Sequence, residues 1–183
     1  MATTSFKKIW IYLALIVLSF VFTFLKIAPD KPSKITNIIT GKVTKIKDGD
    51  TIVISPNNGR KSFACRLYGI DTPETSKKGK HRQPYGEEAA KVLENLVLWQ
   101  TVEVTTTGDK TYNREVCHIE KNGVDINMEM VRRGYAWAYR EYLKRPYASD
   151  YIHAENEARS KRLGVWQQAN PQPPWEFRKI KTN

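Results

Sequence analysis

The sequence predicts an α+β domain that is mainly β, with five strands and three helices. Short runs rich in β-branched residues alternate with turn-forming residues, one long segment has apolar residues at helical spacing, and further strand-like and helical runs follow it. A chain of 183 residues accommodates one domain of ordinary size, with shorter segments attached at its ends.

The first three predicted strands span residues 40–46, 51–55 and 61–68, which are rich in β-branched and aromatic residues. Asp48-Gly49 separates the first two runs, and Asn57-Asn58-Gly59 separates the second from the third. Because both connections are typical of tight turns, we expect the three strands to pair antiparallel.

A helix is predicted over residues 84–99, with Pro84 at its opening position. Two more strands are predicted over residues 101–106 and 115–119, joined by a loop that contains Gly108-Asp109. The helix has one apolar stripe, formed by Ala89, Val92, Leu93, Leu96 and Val97.

Two further helices complete the predicted domain. Asn127 is expected to cap a short helix that Gly134 ends, and residues 146–162 form the last helix, with Gly164 beyond its end. Five strands with a helix between the third and the fourth have the connectivity of a five-stranded OB-fold barrel, a scaffold that often binds nucleic acid.

The N-terminal part has the composition of a membrane helix. Residues 9–26 carry no charge before Lys26, and they predict a hydrophobic helix that acts as a transmembrane signal-anchor. A short basic N-terminus of residues 1–8 precedes it, and residues 27–37 form a linker. A cleaved signal peptide is the alternative interpretation.

The charge of the chain favours a polyanionic partner. The sequence has 30 Lys and Arg against 19 Asp and Glu, a net charge of +11, which suits nucleic acid or an anionic membrane surface. The predicted domain covers residues 38–168, and residues 169–183 form a Pro- and Trp-containing C-terminal tail that is expected to cap it.

The two cysteines, Cys65 and Cys117, lie in different predicted strands. They could form a disulfide in an oxidising compartment, or they could be small buried apolar residues, and the second interpretation is favoured. With no third cysteine and no histidine at a suitable spacing, a zinc site is not expected.

The candidate chemistry lies in two acidic turns and two arginines. Residues 48–51 (DGDT) and 71–74 (DTPE) carry two acids each, and Arg66 and Arg114 lie in or beside predicted strands. Hydrolysis of a phosphodiester needs hard oxygen ligands for Ca²⁺ or Mg²⁺, a carboxylate base and positive charge for the transition state. Each feature alone is more typical of an ordinary turn or a solvated side chain.

In their order along the chain, these features resemble the staphylococcal nuclease family. The resemblance extends over roughly residues 38–168. It rests on DGDT at 48–51, RLYGIDTPET at 66–75, PYGEEA at 84–89, the run 109–114, and the segments 127–137 and 154–166. One departure is Asn113, which stands where the family usually has Gly; Asn tolerates a positive φ, so the turn is expected to survive.

The resemblance implies one Ca²⁺ ion as the cofactor. Asp50 and Asp71 match the carboxylates that bind it, Thr72 matches the residue that lends its backbone carbonyl, and Asp48 matches a supporting acid. Glu74 matches the carboxylate that acts as general base or orients the attacking water.

The resemblance also implies the groups that contact substrate. Arg66 and Arg114 match the arginines that bind the scissile phosphate. Tyr112 matches a tyrosine that borders the nucleotide site, whereas Tyr139 and Tyr142 lie only near the family's substrate-contacting tyrosines. Lys77 and Lys78 belong to a basic loop that either guides the nucleic-acid strand or is simply solvated.

The function implied is a nuclease that hydrolyses DNA, and with it RNA, with little sequence preference and leaves 3′-phosphates. No obligate protein partner is indicated. With an anchor, the enzyme would be a single-pass protein of the cell membrane with its domain outside the cytoplasm, and with a cleaved signal it would be secreted. The alternatives are an inactive OB-type module that binds nucleic acid at the membrane, and a membrane-tethered adaptor.

Overall fold

The computed structural model describes residues 38–76 and 82–179, and these ranges contain the barrel and its helices. The strands in chain order are β1 Ile38–Asp48, β2 Thr51–Pro56, β3 Phe63–Leu67, β4 Ile70–Asp71, β5 Thr101–Thr111, β6 Arg114–Lys121, β7 Val124–Asp125 and β8 Trp137–Ala138. The helices are α1 Gly86–Val97, α2 Ile126–Arg132, α3 Ala148–Ser160 and α4 Pro174–Phe177, with a 3₁₀ turn at Gly164–Gln167.

Five strands close into a barrel, as the sequence predicts. Strand β1 pairs antiparallel with β2 and with β5, β2 pairs antiparallel with β3, and β5 pairs antiparallel with β6. The parallel pairing of β3 with β6 joins the two edges, with Ala64 opposite Arg114 and Leu67 opposite Cys117. This closure brings Arg66 and Arg114, which are distant in sequence, onto neighbouring strands.

The hydrophobic core lies inside the barrel and continues between the strands and the helices packed on them. Alternate residues of β1 are buried, which is the pattern of a strand with one face toward a core. Helix α1 buries Ala89, Leu93 and Val97, three members of the predicted apolar stripe. Full burial of an aliphatic side chain contributes about 1.5–3 kcal/mol, so this stripe holds α1 against the strands.

Helix α2 is capped by a different residue from the one predicted. Asp125 is the cap: its carboxylate accepts a hydrogen bond from the Met128 amide at 2.9 Å. Asn127 lies inside the helix and is fully buried. Its side-chain amide donates to the carbonyls of Tyr68 and Cys117, and its oxygen accepts from the Ile119 amide, so it joins α2 to the barrel.

Strand β5 continues beyond the predicted loop. It runs to Thr111 and includes Gly108-Asp109, with an irregular register between Thr106 and Lys110. The tight turn into β6 has its positive φ of 56° at Tyr112 and not at Asn113, the residue for which the sequence predicts it. The irregular register lengthens the hairpin while keeping both strands paired.

The two cysteines form a disulfide, so the favoured interpretation of free buried thiols is wrong. Cys65 and Cys117 lie on the adjacent strands β3 and β6, with their Cα atoms 6.0 Å apart. Both are fully buried. The physical reason is the parallel closure of the barrel, which a separation of 52 residues conceals in the sequence.

The C-terminal tail packs on the domain and adds a fourth helix to the three predicted. Trp175 stacks on Tyr139 with ring centroids 5.1 Å apart and an interplanar angle of 4°. The side-chain amide of Gln83 donates to the Gln172 carbonyl at 2.7 Å. Pro174 is buried at the start of α4. The tail is thus held at several points.

In the described ranges no helix is both long and apolar enough to cross a membrane. The predicted N-terminus of residues 1–8, anchor of residues 9–26 and linker of residues 27–37 all lie outside the described residues.

Candidate active site

The turn between β1 and β2 presents Asp50 to the segment that follows β4. The Asp50 amide donates to the Asp48 carboxylate at 3.3 Å, which tightens the turn. Gly49 faces Thr72, and a Cβ atom at Gly49 would lie 2.7 Å from the Thr72 hydroxyl. A glycine is therefore needed for the two acidic turns to approach each other.

Arg66 bridges the two aspartates predicted to bind metal. From β3, its guanidinium forms an ion pair with Asp50 through Nη1 and lies 2.7 Å from Asp71 through Nη2. The Asp71 side chain is fully buried, and Arg66 is itself largely buried. Charge-assisted bonds of this kind are stronger than neutral ones, so Arg66 orients both carboxylates.

The second oxygen of Asp50 is held by Thr72, whose amide and hydroxyl donate to it at 3.3 and 3.2 Å. Burial raises the pKa of Asp50 to about 7; the Arg66 guanidinium lowers it, and the carboxylates of Asp48 and Asp71 add to the rise. An additional cation near Asp50 would therefore stabilise its ionised form.

Arg114 begins β6 and reaches the same end of the barrel. Its Nη1 donates to the Thr51 hydroxyl at 3.2 Å, and that hydroxyl donates to Asp50 at 3.0 Å. The exposed ring of Tyr112 lies 5.9 Å from the Arg114 guanidinium. Its Nε donates to the Thr111 carbonyl at 3.3 Å. No carboxylate in residues 38–76 and 82–179 forms an ion pair with Arg114, so its positive charge is not neutralised there and can attract an external anion.

Glu74 is fixed through its backbone. Its amide donates to the Gln83 side chain at 3.2 Å, and its carbonyl accepts from the Gln83 amide at 3.0 Å. A Cβ atom at Gly86 would lie 2.2 Å from the Glu74 carbonyl oxygen. Gln83 and Gly86 are positioning residues that sequence reasoning missed; within the PYGEEA motif, the glycine was a usable signal.

Arg178, from the tail, is the other missed residue. Its Nη2 lies 2.7 Å from Asp71 Oδ2, and its Nη1 lies 2.8 Å from Glu74 Oε1 and 3.2 Å from Asp71 Oδ1. A single guanidinium therefore joins the candidate base to a candidate metal ligand. The sequence offered one signal, an arginine that follows the Pro- and Trp-containing anchor of the tail.

Comparison with known proteins decides the family. The family model described as staphylococcal nuclease homologue matches residues 64–168. The chain belongs to the staphylococcal nuclease family. The family resemblance that the sequence motifs indicate is thus confirmed, together with a mainly-β fold.

Its relatives include proteins named as nucleases. It is 36% identical over 140 residues to an uncharacterized endonuclease of Haemophilus influenzae, covering 76% of this chain and 73% of that protein. It is 36% identical to an uncharacterized endonuclease of Escherichia coli O157:H7, covering 76% and 85%, and 36% identical to a micrococcal nuclease of Shigella flexneri, covering 78% and 82%. The chain is accordingly a nuclease, a phosphodiester hydrolase.

Tyr139 lies close to β4, the strand that ends at Asp71, because β8 directly before it pairs with β4. The Tyr139 amide donates to the Gly69 carbonyl at 2.8 Å, and its ring contacts Trp175 on one side and Tyr142 on another. A cleft of about 510 Å³ opens next to it, lined in part by Trp137, Arg140 and Arg159. Lys77 and Lys78 lie outside the described residues.

The residues predicted to bind metal carry the kinds of oxygen atom that a hard divalent cation accepts. Asp50 and Asp71 supply carboxylates, and the Thr72 carbonyl adds the kind of neutral oxygen that Ca²⁺ accepts. In the part of the chain that the structure describes, no group of three or more His, Cys, Asp and Glu is arranged to hold a metal. The ligand set that the family resemblance implies, two carboxylates and a backbone oxygen with water for the remaining positions, stays a prediction.

Proposed function

We propose that this nuclease hydrolyses DNA and RNA with little sequence preference, requires Ca²⁺ and leaves 3′-phosphates. The observation that carries the proposal is the bridge from Arg66 to Asp50 and Asp71, which gathers two hard carboxylates and a phosphate-binding group at one end of the barrel. The family resemblance supports the calcium requirement and the 3′-phosphate product.

The substrate class follows from the kinds of group at the site. Arg66 and Arg114 are suited to phosphate oxygens, which every nucleic acid carries. The chain has a net charge of +11, which favours association with any polyanion. Tyr112 and Tyr142 are exposed and offer rings on which a base of any identity could stack. Together these groups favour recognition of the backbone over recognition of sequence.

The arginines act on the phosphate from two strands. The planar fork of a guanidinium donates to two phosphate oxygens at once and stays protonated at working pH. Arg66 is also held by the aspartates, so its position is set before substrate arrives. Donors fixed in this way stabilise the charge that develops on the phosphate without reorganising.

Glu74 is the proposed base. Its backbone is held by Gln83, and its carboxylate projects toward Asp71, the Arg178 guanidinium lying between them. The Glu74 carboxylate takes a proton from the attacking water as the new P–O bond forms. The bond to the 5′-oxygen breaks, and that oxygen takes up a proton from solvent, so the products are a 3′-phosphate and a 5′-hydroxyl. Ca²⁺ held by Asp50, Asp71 and the Thr72 carbonyl would supply charge stabilisation at the phosphate.

The direct test uses the full chain, purified in detergent, with plasmid DNA and with a folded RNA. We expect both to be cut with Ca²⁺ present and to survive with a chelator, and we expect the products to carry 3′-phosphates. Glu74→Gln should abolish cleavage, whereas Glu88→Gln, the same change at an exposed helix position, should not. Intact but shifted DNA with the unmodified chain would favour the alternative of an inactive binding module.

We also propose that residues 9–26 anchor the nuclease in the cell membrane as a single span, with the domain outside the cytoplasm, or that the nuclease is secreted if this segment is cleaved. The disulfide between Cys65 and Cys117 supports an oxidising compartment. Thiol labelling of the denatured chain, taken from cells with its free thiols trapped and compared with and without reductant, tests this. Cysteines that react in the denatured chain without reductant would contradict it.

A further inference from the structure

The carboxylate of Asp71 is shared between two guanidinium groups. Oδ1 accepts from Arg66 at 2.7 Å and from Arg178 at 3.2 Å, and Oδ2 accepts from Arg178 at 2.7 Å. Asp71 is fully buried, so bulk water does not compete for its carboxylate oxygens. Both oxygens that a metal would use are thus engaged by arginine.

We propose that Arg178, which also pairs with Glu74, competes with the divalent cation for Asp71, so that the C-terminal tail sets the metal affinity of the active site. The inference rests on the proposed function, since it takes the Asp71 carboxylate as a metal ligand. Arg178 occupies one acceptor site on each oxygen of Asp71, and a cation bound to Asp71 would repel its guanidinium. Metal binding therefore requires Arg178 to leave Asp71.

The segment that carries Arg178 is fixed on the domain by other contacts, so its ion pairs with Asp71 and Glu74 are not those of a freely moving surface residue. The bond from Gln83 to the Gln172 carbonyl holds the tail just before α4, and the stacking of Trp175 on Tyr139 holds α4 itself. With its segment fixed, Arg178 stays at a high effective concentration near the carboxylates. It is an effective competitor for that reason, although 36% of its side chain is exposed to solvent.

Release of Arg178 is nevertheless feasible. Its side chain is accessible to water, which can take over its hydrogen bonds when it moves, whereas Arg66 is largely buried and remains with Asp50. Arg178 is therefore the partner of Asp71 that can leave, while Arg66 keeps its contacts with Asp50 and Asp71 from β3. The competition also links the candidate base to the metal, because Glu74 loses or keeps its partner together with Asp71.

Calorimetric titration of Ca²⁺ into the full chain tests the proposal without measuring activity. We expect Arg178→Gln to lower the dissociation constant for Ca²⁺ by about fivefold or more. This is the lower end of the coupling that is typical between two competing ligands. Lys179→Gln removes the same charge from the neighbouring exposed position and is the matched control. It should change the constant by less than about twofold, because an exposed charge is screened.

Tail docking is followed in the same samples by Trp175 fluorescence, measured against Trp175→Phe. Unchanged or weaker Ca²⁺ binding by Arg178→Gln, with the tail still docked, overturns the proposal. Equal tightening by Arg178→Gln and Lys179→Gln also overturns it, because net charge would then explain the effect. If the unmodified chain binds no Ca²⁺ at all, it is the proposed calcium requirement that fails.

Discussion

Nη2 of Arg66 lies 2.7 Å from Oδ1 of Asp71, five residues further along the chain. The chain reverses between them at Gly69, whose φ of 71° few side chains adopt. A Cβ atom there would also lie 2.5 Å from Leu143. The turn thus directs a strand arginine and the carboxylate after the strand into one ion pair, and the other carboxylate of the centre, Asp50, joins the same guanidinium.

Arg66→Lys should lower kcat by about a hundredfold or more, although the charge is kept. Lysine has no fork, so it cannot hold Asp50 and Asp71 while it also faces a phosphate, and loss of one such donor typically costs about 10²–10³ in rate. Steady-state cleavage of a fluorogenic oligonucleotide measures the effect. Arg60→Lys, at an exposed turn, is the control. A loss below about threefold would contradict the assigned role.

Gly86→Ala should impair both stability and activity. Alanine is the better helix former by about 1 kcal/mol, so propensity alone predicts a gain. The contact of 2.2 Å with the Glu74 carbonyl predicts the opposite, a loss of about 1–3 kcal/mol with displacement of Glu74. Urea unfolding and kcat are the measurements.

Gly59→Ala serves as the comparison for Gly86→Ala. Gly59 has a positive φ of 77°, which Gly86 does not have, and open space surrounds it. Gly59→Ala should therefore lower the free energy of unfolding only by the local backbone strain, and it should leave kcat unchanged. A higher free energy of unfolding in Gly86→Ala would show that Gly86 does not lie this close to the Glu74 carbonyl oxygen.

Asn127→Ala should lower the free energy of unfolding by about 2–4 kcal/mol. Three hydrogen bonds are lost in a fully buried place, and the amide and carbonyls left behind have no water to replace them. Chemical denaturation measures it, with the exposed Asn113→Ala expected to stay within about 0.5 kcal/mol. A small effect at Asn127 would indicate that water enters this part of the barrel.

Much of this organisation could be predicted from sequence, because it depends on local patterns. Strands β1 to β3 and helix α1 follow from alternation, turn residues and one apolar stripe. The acids and arginines of the centre follow from ordered short motifs. These features are encoded within a few residues of where they act.

The contacts that were missed depend on long-range closure. Arg178 meets Asp71 across 107 residues, and no periodic pattern indicates where a tail will dock. The disulfide depends in the same way on the parallel pairing of β3 with β6. At Asn127 the failure was local: Asp125 and Asn127 are both good caps, and only the burial of Asn127 distinguishes them.

His118 should make stability depend on pH. Burial lowers its pKa, and the nearby Asp125 opposes the shift. The unfolded chain, with a histidine pKa of about 6.5, then binds the proton more readily than the folded chain does. The free energy of unfolding should therefore fall as pH drops through about 6.5 and level off below the pKa of the folded protein.

His118→Asn should reduce this slope, whereas the exposed His153→Asn should keep it. Denaturation midpoints between about pH 5 and pH 8 measure both variants. An unchanged slope in His118→Asn would mean that another group carries the pH dependence.

The central claim is that Asp50, Asp71, Arg66 and Arg114 form one centre for a divalent cation and a phosphate. A crystal structure of the chain with Ca²⁺ and a nucleoside 3′,5′-bisphosphate tests it most directly. We predict the ion between Asp50 and Asp71, beside the Thr72 carbonyl, with a phosphate held by Arg66 and Arg114. Calcium or phosphate bound only elsewhere on the domain would contradict the account.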